Sequence, residues 1–492
     1  MKVLLINSLV GYSVSARGLV HPLGLLSIGS YLKKYGHDVK IFDRCVDKTK
    51  LEDVVNDFSP DIVGISVMSS KGLKDAIKVS KYIKETINKP VVWGGTLASM
   101  HIDLVLENDF VDIVSVGEGE GTWKELADRY ENNEPIDDVL GIAYRKDGKI
   151  IENPCRPFVD LKDVPPADWS LVDVSKYMQN YMGCSKLMYI FSSKGCPYKC
   201  AFCPNVVYHR STHRKRPNEY VIEEIKHLVD NYGVDGIYFS DELWCIKKED
   251  MHDFCRRVHE NNLDFHWGAE LRIGMFNEED FRMMYDAGCR WLLFGVETGS
   301  PEMSKRIHKN INLDEIKPTI DILKKIGITC VCSYIIGLPD ETVDQIRDTV
   351  KLINKADANL SVISHFTPLP GTELYDEVVA QNRFESPKSL EDLEKVVTLD
   401  SIGKNLSEVP TKDLRVIRSW YNWKGFTSKN AFASEKPFAF AKQTILNGLY
   451  YISSKGPVSF VINGFTALHD FLYIFWYSHA YPGIIKKYEL RK

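Results

Sequence analysis

Two signatures are missing from this sequence. No second Cys/His pair follows its one cysteine-rich loop at zinc-finger spacing, which argues against a structural zinc site built from separated pairs. No G-x-G-x-x-G follows the first predicted strand, so the dinucleotide-binding fingerprint is absent as well. Excess charge of one sign is also lacking: 62 Lys and Arg against 67 Asp and Glu leave a net charge of −5. With neither a basic helix nor a recognisable helix-turn-helix, a nucleic-acid partner finds no support. Cysteine is scarce, 11 in 492 residues, and too irregularly placed for a secreted disulfide scaffold. No signal peptide opens the chain, and the expectation is a reduced, cytoplasmic protein. Long apolar runs are missing too. In the aromatic-rich tail, Asn463, His469 and Asp470 break Val458–His479 short of the about 20 apolar residues that a membrane span needs.

What is present is ordinary in bulk and specific in one place. Apolar residues make up 44% and charged residues 26%, which suits a globular protein of roughly two to four domains. The specific place is Ser193–Asn205, SKGCPYKCAFCPN, where Cys196, Cys200 and Cys203 stand at C-x3-C-x2-C directly after the apolar run 187–192. Thiolates suit iron–sulfur clusters and zinc. Electron-transfer cubanes use four cysteines, so three from one loop would leave one iron open for another ligand. Cys184, just ahead of the cluster strand, reads as an ordinary thiol rather than a fourth ligand.

Residues 1 to about 135 alternate β-branched runs (Lys2–Ile6, Asp38–Phe42, Ile62–Val67, Pro90–Trp93, Ile113–Val116) with helical patterns. That alternation predicts a parallel, doubly wound sheet with ligands outside the strand carboxyl ends. A hairpin around Lys146-Asp147-Gly148 and a Pro-rich connector follow. From Met188 six further strands are predicted: Met188–Ser192, Gly236–Phe239, Phe265–Ala269, Trp291–Val296, Cys330–Ile336 and Leu360–Phe366. Helices fill the gaps, a count that suits a partial (β/α)6 barrel of TIM type with its chemistry at the strand carboxyl ends. Those ends carry Ser240-Asp241-Glu242, Glu270-Leu-Arg272, Glu297, and Ile336-Gly337-Leu338. Asp241 and Glu242 could be a catalytic acid–base pair. Tyr238, Trp244, His266, Trp267 and Phe294 lie near the same ends, most of them expected in the core and one or two in a pocket.

The segments HPLGLLSIGSYL, DIVGISVMSS, VVWGGTLAS and DIVSVGEGE resemble the cobalamin-binding domain of one large subgroup of radical S-adenosylmethionine (SAM) enzymes. The cysteine loop, with Phe202 before its third cysteine, resembles the signature loop of the same enzymes. The resemblance implies an α/β protein with a Rossmann-like cobalamin-binding domain over 1–140, a linker over 141–185, a radical SAM core over 186–380 and a mostly helical, aromatic-rich region over 381–492. Cys196, Cys200 and Cys203 would hold a [4Fe–4S] cluster. SAM would be met by Phe202, Ser240, Asp241, Glu242, Glu270 and Arg272, and by Glu297, Ile336, Gly337 and Leu338. Cobalamin would lie over Ser8, Leu9, Met68, Ser69, Ser70 and Lys71, its nucleotide tail running toward Gly94, Gly95, Thr96, Gly117, Glu118 and Gly119. The D-x-H-x-x-G motif of B12-dependent mutases is absent, so Met68–Lys71 rather than a histidine is expected under the cobalt.

The implied activity is methylation of an unactivated carbon through a 5′-deoxyadenosyl radical and methylcobalamin. The alternative is cyclisation, rearrangement or lipid coupling on the same domain order. A corrinoid- or redox-responsive regulator is the third reading, disfavoured because no effector module is evident. Implied partners are a small-molecule or peptide substrate and an external flavodoxin- or ferredoxin-type electron donor. The C-terminal tail is expected to pack on the open side of the core, with membrane-surface contact or a groove for an apolar substrate as alternatives.

Overall fold

The computed structural model describes residues 1–9, 20–68, 70–395, 403–427, 476 and 480–490. Ser69, the side chain of Lys71 and the apolar stretches Pro437–Ser453 and Val458–His479 (Trp476 apart) lie outside the described residues.

Strand β1 (Lys2–Asn7) buries Val3, Leu4, Leu5 and Ile6 completely, because both faces of its sheet are covered. Val3 and Leu5 join one hydrophobic cluster with helices Leu23–Lys34 and Glu120–Glu131; Leu4 and Ile6 join another with helix Ser70–Thr86. The remaining strands are β2 (Asp38–Asp43), β3 (Ile62–Ser66), β4 (Val91–Gly94), β5 (Ile113–Ser115), β6 (Ile142–Lys146) and β7 (Lys149–Glu152). They lie in the order β2-β1-β3-β4-β5-β6-β7, with β1 to β5 parallel. The chain direction across the sheet reverses at β1/β3, which is where such sheets open a ligand crevice.

The hairpin β6–β7 turns on Asp147 and Gly148, both at positive φ (50° and 74°), as a two-residue type I′ turn requires. It pairs antiparallel with β5, so residues 142–152, placed in the linker by the sequence, are the edge of the first sheet. The rest of the connector is strapped down. The hydroxyl of Tyr177 donates to Asp43 Oδ2 at 2.7 Å, and Lys33 pairs with Asp168.

The second unit contains β8 (Gln179–Tyr181), β9 (Cys184–Ile190), β10 (Ser193–Gly195), β11 (His213–Lys215), β12 (Gly236–Phe239), β13 (His266–Leu271), β14 (Cys289–Glu297), β15 (Thr329–Ile336) and β16 (Leu360–His365). Six of these, β9 and β12 to β16, are parallel and lie side by side in chain order. The sheet stays open: β8 adds antiparallel to β9 at one end, and helix Thr411–Thr427 packs along β16 at the other. Helix Pro482–Lys487 and the residues after it brace that helix, Lys487 and Tyr488 both donating to Asp413.

On the outer face Trp244, Phe254 and Trp267 stack within 5.5 Å of one another, in one core with Phe294. On the inner face Leu187, Tyr189, Tyr238 and Trp291 pack against Val20 and Leu23 of the first unit. A Cβ at Gly268 would stand 1.8 Å from the Trp291 indole nitrogen. Gly268→Ala is therefore expected to cost about 3 kcal/mol, since the ring is buried in one cluster with Leu187, Tyr189 and Tyr238. A denaturant midpoint that stays within error of wild type would contradict this.

Candidate active site between two strand-end surfaces

The cysteine loop leaves from β10 and returns through β11, which pair antiparallel and close its neck. Gly195 at the neck has φ 83°, and a Cβ there would meet the carbonyl oxygen of Thr212 at 2.3 Å. Inside the loop Cys203 N–H donates to Cys200 O at 3.0 Å, and Ala201 is held on both sides: its N–H by Ile307 O, its carbonyl by Leu374 N–H. Phe202 packs with Ala201, Leu338 and Phe366, which brings the expected adenine side of the site to the loop.

The three thiols sense one another. Burial pushes Cys203 up to about 12, and Cys200 and Cys196 add to the rise. Burial also raises Cys196 and Cys200, while Lys309 and Arg272 pull both back down. Among the described residues no three His, Cys, Asp or Glu side chains converge on a single ion. A cubane binds its thiolates through different irons and so asks for a wider triangle than one ion does. Three thiols in one closed loop flanked by two cations fit that group.

The strand ends divide the expected SAM residues. Asp241, at the end of β12, is buried and accepts from Ser192 N–H at 2.8 Å, Ser192 Oγ at 2.6 Å and Ser193 Oγ at 2.9 Å. Burial pushes its carboxyl up to about 7 against those bonds. Its oxygens are engaged by the protein. Glu242 keeps a third of its side chain exposed while accepting Gly195 N–H at 2.9 Å and facing His209 Nε2 at 3.1 Å. Ser240 is exposed. Glu270 is half-buried, with Tyr238 Oη at 3.4 Å. Arg272 lies over the Tyr198 ring, 3.9 Å from its centroid, and donates to Lys309 O.

Glu297 sits at a bulge in β14 with φ 70° and pairs with the buried Lys309 at 2.9 Å. Gly337 and Leu338 both donate their N–H groups to Glu341 Oε2, at 2.7 and 3.2 Å. Burial pushes that carboxyl up to about 8. Ile336 turns its side chain into the outer core and gives its carbonyl to Phe366 N–H. Lys309, Glu341 and His209 are site residues that the strand-end motifs did not reveal.

The first unit presents its own strand ends. Met68 is 61% exposed after β3, beside Gly95. Ser8 is buried and donates to Ser66 O, Leu9 N–H donates to Asp75, and Ser70 opens its helix. Gly94, Gly95 and Thr96 link β4 to its short helix. In the loop after β5, Gly117 N–H donates to Ser99 Oγ, and Gly119 lies against Ile28. Glu118 leaves this surface and enters the second unit. It meets His209 Nδ1 at 2.9 Å and Arg214, with Lys194 at 3.7 Å. Burial would raise its carboxyl, but the His209 bond and the two cations bring it to about 2. Lys194 also pairs with Glu120, and the Tyr208 hydroxyl donates to Gly117 O at 2.8 Å. The two strand-end surfaces therefore face each other across direct side-chain bonds.

Residues 10–127 match the B12-binding domain family and residues 190–353 the radical SAM superfamily. An uncharacterized methyltransferase of Pyrococcus horikoshii is 33% identical over 368 residues, covering 73% of this chain and 79% of that protein. The chain belongs to the cobalamin-binding radical SAM family. Within that family an anaerobic magnesium-protoporphyrin IX monomethyl ester cyclase of Rubrivivax gelatinosus is 26% identical over 371 residues, 73% of this chain and 66% of the relative. The fold matches the solved radical SAM methyltransferase TsrM of Kitasatospora setae with cobalamin and a [4Fe–4S] cluster bound. The TM-score is 0.66 at 18% identity, over 81% of this chain and 85% of the other.

Proposed function

We propose that this chain is a cobalamin-dependent radical SAM methyltransferase acting on an unactivated carbon of a small-molecule or peptide substrate. The observation that carries the reading is the facing of two cofactor surfaces, the cysteine loop after β9 and the strand ends of β1, β3, β4 and β5, joined through Glu118, His209 and Glu242. The relative at 33% identity carries a methyltransferase name, which supports the same class. When bound, the cluster supplies an electron for SAM cleavage to methionine and a hydrogen-abstracting 5′-deoxyadenosyl radical, and methylcobalamin supplies the methyl group.

The chain's own residues hold and orient these groups. Cys196, Cys200 and Cys203 bind the cluster, and Arg272 and Lys309 offset the negative charge of the thiolates. Glu242 takes the ammonium of SAM, the Gly337–Leu338 turn and Phe202 take the adenine side, and Glu341 holds that turn in shape. Met68, Ser8 and the Gly94–Thr96 and Gly117–Gly119 loops would hold the corrinoid. The electron donor is a flavodoxin- or ferredoxin-type protein. Among the described residues no helix is long and apolar enough to cross a membrane.

Anaerobic reconstitution tests this reading. Iron, sulfide and cobalt should all be retained, SAM cleavage should follow reduction, and the product should gain one methylene in mass per turnover. Cobalt near zero after growth with cobalamin would remove the methyl donor. SAM cleavage with a product of unchanged carbon count would favour the cyclase-type reading that the Rubrivivax relative suggests.

A further inference from the structure

His209 does something the two-cofactor reading does not require of it. It follows the short helix Asn205–Tyr208 within the cysteine loop, buried, with its two ring nitrogens aimed in opposite directions. Nδ1 lies 2.9 Å from Glu118 on the first unit, and Nε2 lies 3.1 Å from Glu242 on the second. Both partners are carboxylates, so both nitrogens must donate, and only the imidazolium carries two N–H groups. The surroundings balance that charge. Glu118, Glu120 and Glu242 face Lys194, Arg214 and the protonated His209, three anions against three cations. The Tyr208 ring stands edge-on at 4.9 Å, with its hydroxyl on Gly117 O. A Cβ on Gly195 would fall 2.9 Å from the His209 Cβ, so the loop neck fixes the ring from behind.

We propose that His209 is a positioning residue: its imidazolium ties the corrinoid-side loop Gly117–Glu120 to the SAM-side carboxylate Glu242, and so sets the spacing of the two cofactor surfaces. The inference rests on the assignment of those surfaces to cobalamin and SAM. It adds that they are not independent. Removing the imidazolium cuts the link from this loop to Glu242, leaves the loop on its Lys194, Arg214 and Tyr208 contacts, and puts one cation fewer between two carboxylates. An interaction shared by two sites is a coupling between them, and it acts in both directions.

The link also has a pH signature in the chain without cofactors. Burial pulls His209 down, but the bonds and charges of Glu118 and Glu242 lift it from 6.5 to about 9. A raised basic group stabilises the fold fully below its unfolded value of 6.5, and the contribution is lost as pH rises through about 9. On the acid side Glu118 holds its charge until about 2. The stability advantage of wild type over H209Q should therefore shrink as pH rises from about 6.5 to about 9 and be gone above that.

The decisive experiment titrates hydroxocobalamin into anaerobically reconstituted wild type, H209Q and H209R, following absorbance, with iron content measured in parallel. H209Q should bind at least about tenfold more weakly at unchanged iron content, the loss expected for a charge-assisted bond. H209R keeps a cation with donors on two sides and should recover most of the affinity. H209Q binding within about twofold of wild type would overturn the proposal. If wild type itself takes up no hydroxocobalamin, the cobalamin assignment fails. The latch is then judged on the melting curves alone, and parallel wild-type and H209Q pH profiles would overturn it.

Discussion

Cys200→Ala is expected to reduce SAM cleavage to background, a loss of at least about three orders of magnitude. Cys200 is buried where Cys196 and Cys203 are half-buried, and it is the middle cysteine of the loop in sequence. Without it the cubane would be held by two thiolates and lose the geometry that leaves one iron for SAM. The control is Cys184→Ala. Cys184 is equally buried but starts β9, at the opposite end of the strand from the site, and its loss should leave cleavage intact. The assay is 5′-deoxyadenosine formed under dithionite, with iron counted per chain. A C200A protein that cleaves SAM like wild type would remove the enzymatic reading altogether.

Lys309→Met is expected to destabilise the cofactor-free chain by about 3–5 kcal/mol, because it strands the Glu297 carboxylate in a nearly dry site. Both side chains are about one-tenth exposed, 12% and 10%, and their separation is 2.9 Å. Glu297 also holds a left-handed backbone angle at the β14 bulge, a conformation that persists only where neighbours over-determine it. The double variant Glu297→Gln/Lys309→Met should recover much of the loss, since no buried charge then remains unpaired. Chemical denaturation read by far-UV circular dichroism measures both. If K309M unfolds with wild type, the pair is not holding the bulge.

The strands were legible wherever burial dictates composition. β1, β3 and β4 are continuous apolar runs because both faces of the first sheet are covered, and β9 and β12 to β16 recur at helix-plus-strand spacing. The hairpin 142–152 was legible as a hairpin but not as a sheet edge, since pairing with β5 is a long-range event that local pattern does not encode. β10 and β11 are three residues each, too short to carry a period.

In the candidate site, the structure brings the three cysteines, read from their motif, into one closed loop and sets Glu242 against the neck of that loop. Asp241 and Glu242 follow β12 and both reach the start of the cysteine loop, Asp241 on Ser192 and Ser193 and Glu242 on Gly195; that split depends on a segment about 50 residues earlier, which local pattern does not encode. Ile336 ends β15 with its side chain in the outer core. His209, Lys309 and Glu341 gave no signal, because a lone charged residue acquires its role only from partners far along the chain or from a turn that folds back on itself.

The hairpin neck of the cysteine loop has a consequence for how metal and fold are related. Many small metal domains are unfolded until the ion arrives, so metal and fold are one equilibrium. Here β10–β11, the Ala201 anchors and the Glu242–Gly195 bond close the loop with protein contacts alone. The neck therefore holds the loop by contacts other than the cluster's, so that shaping the loop and binding the metal draw on separate interactions.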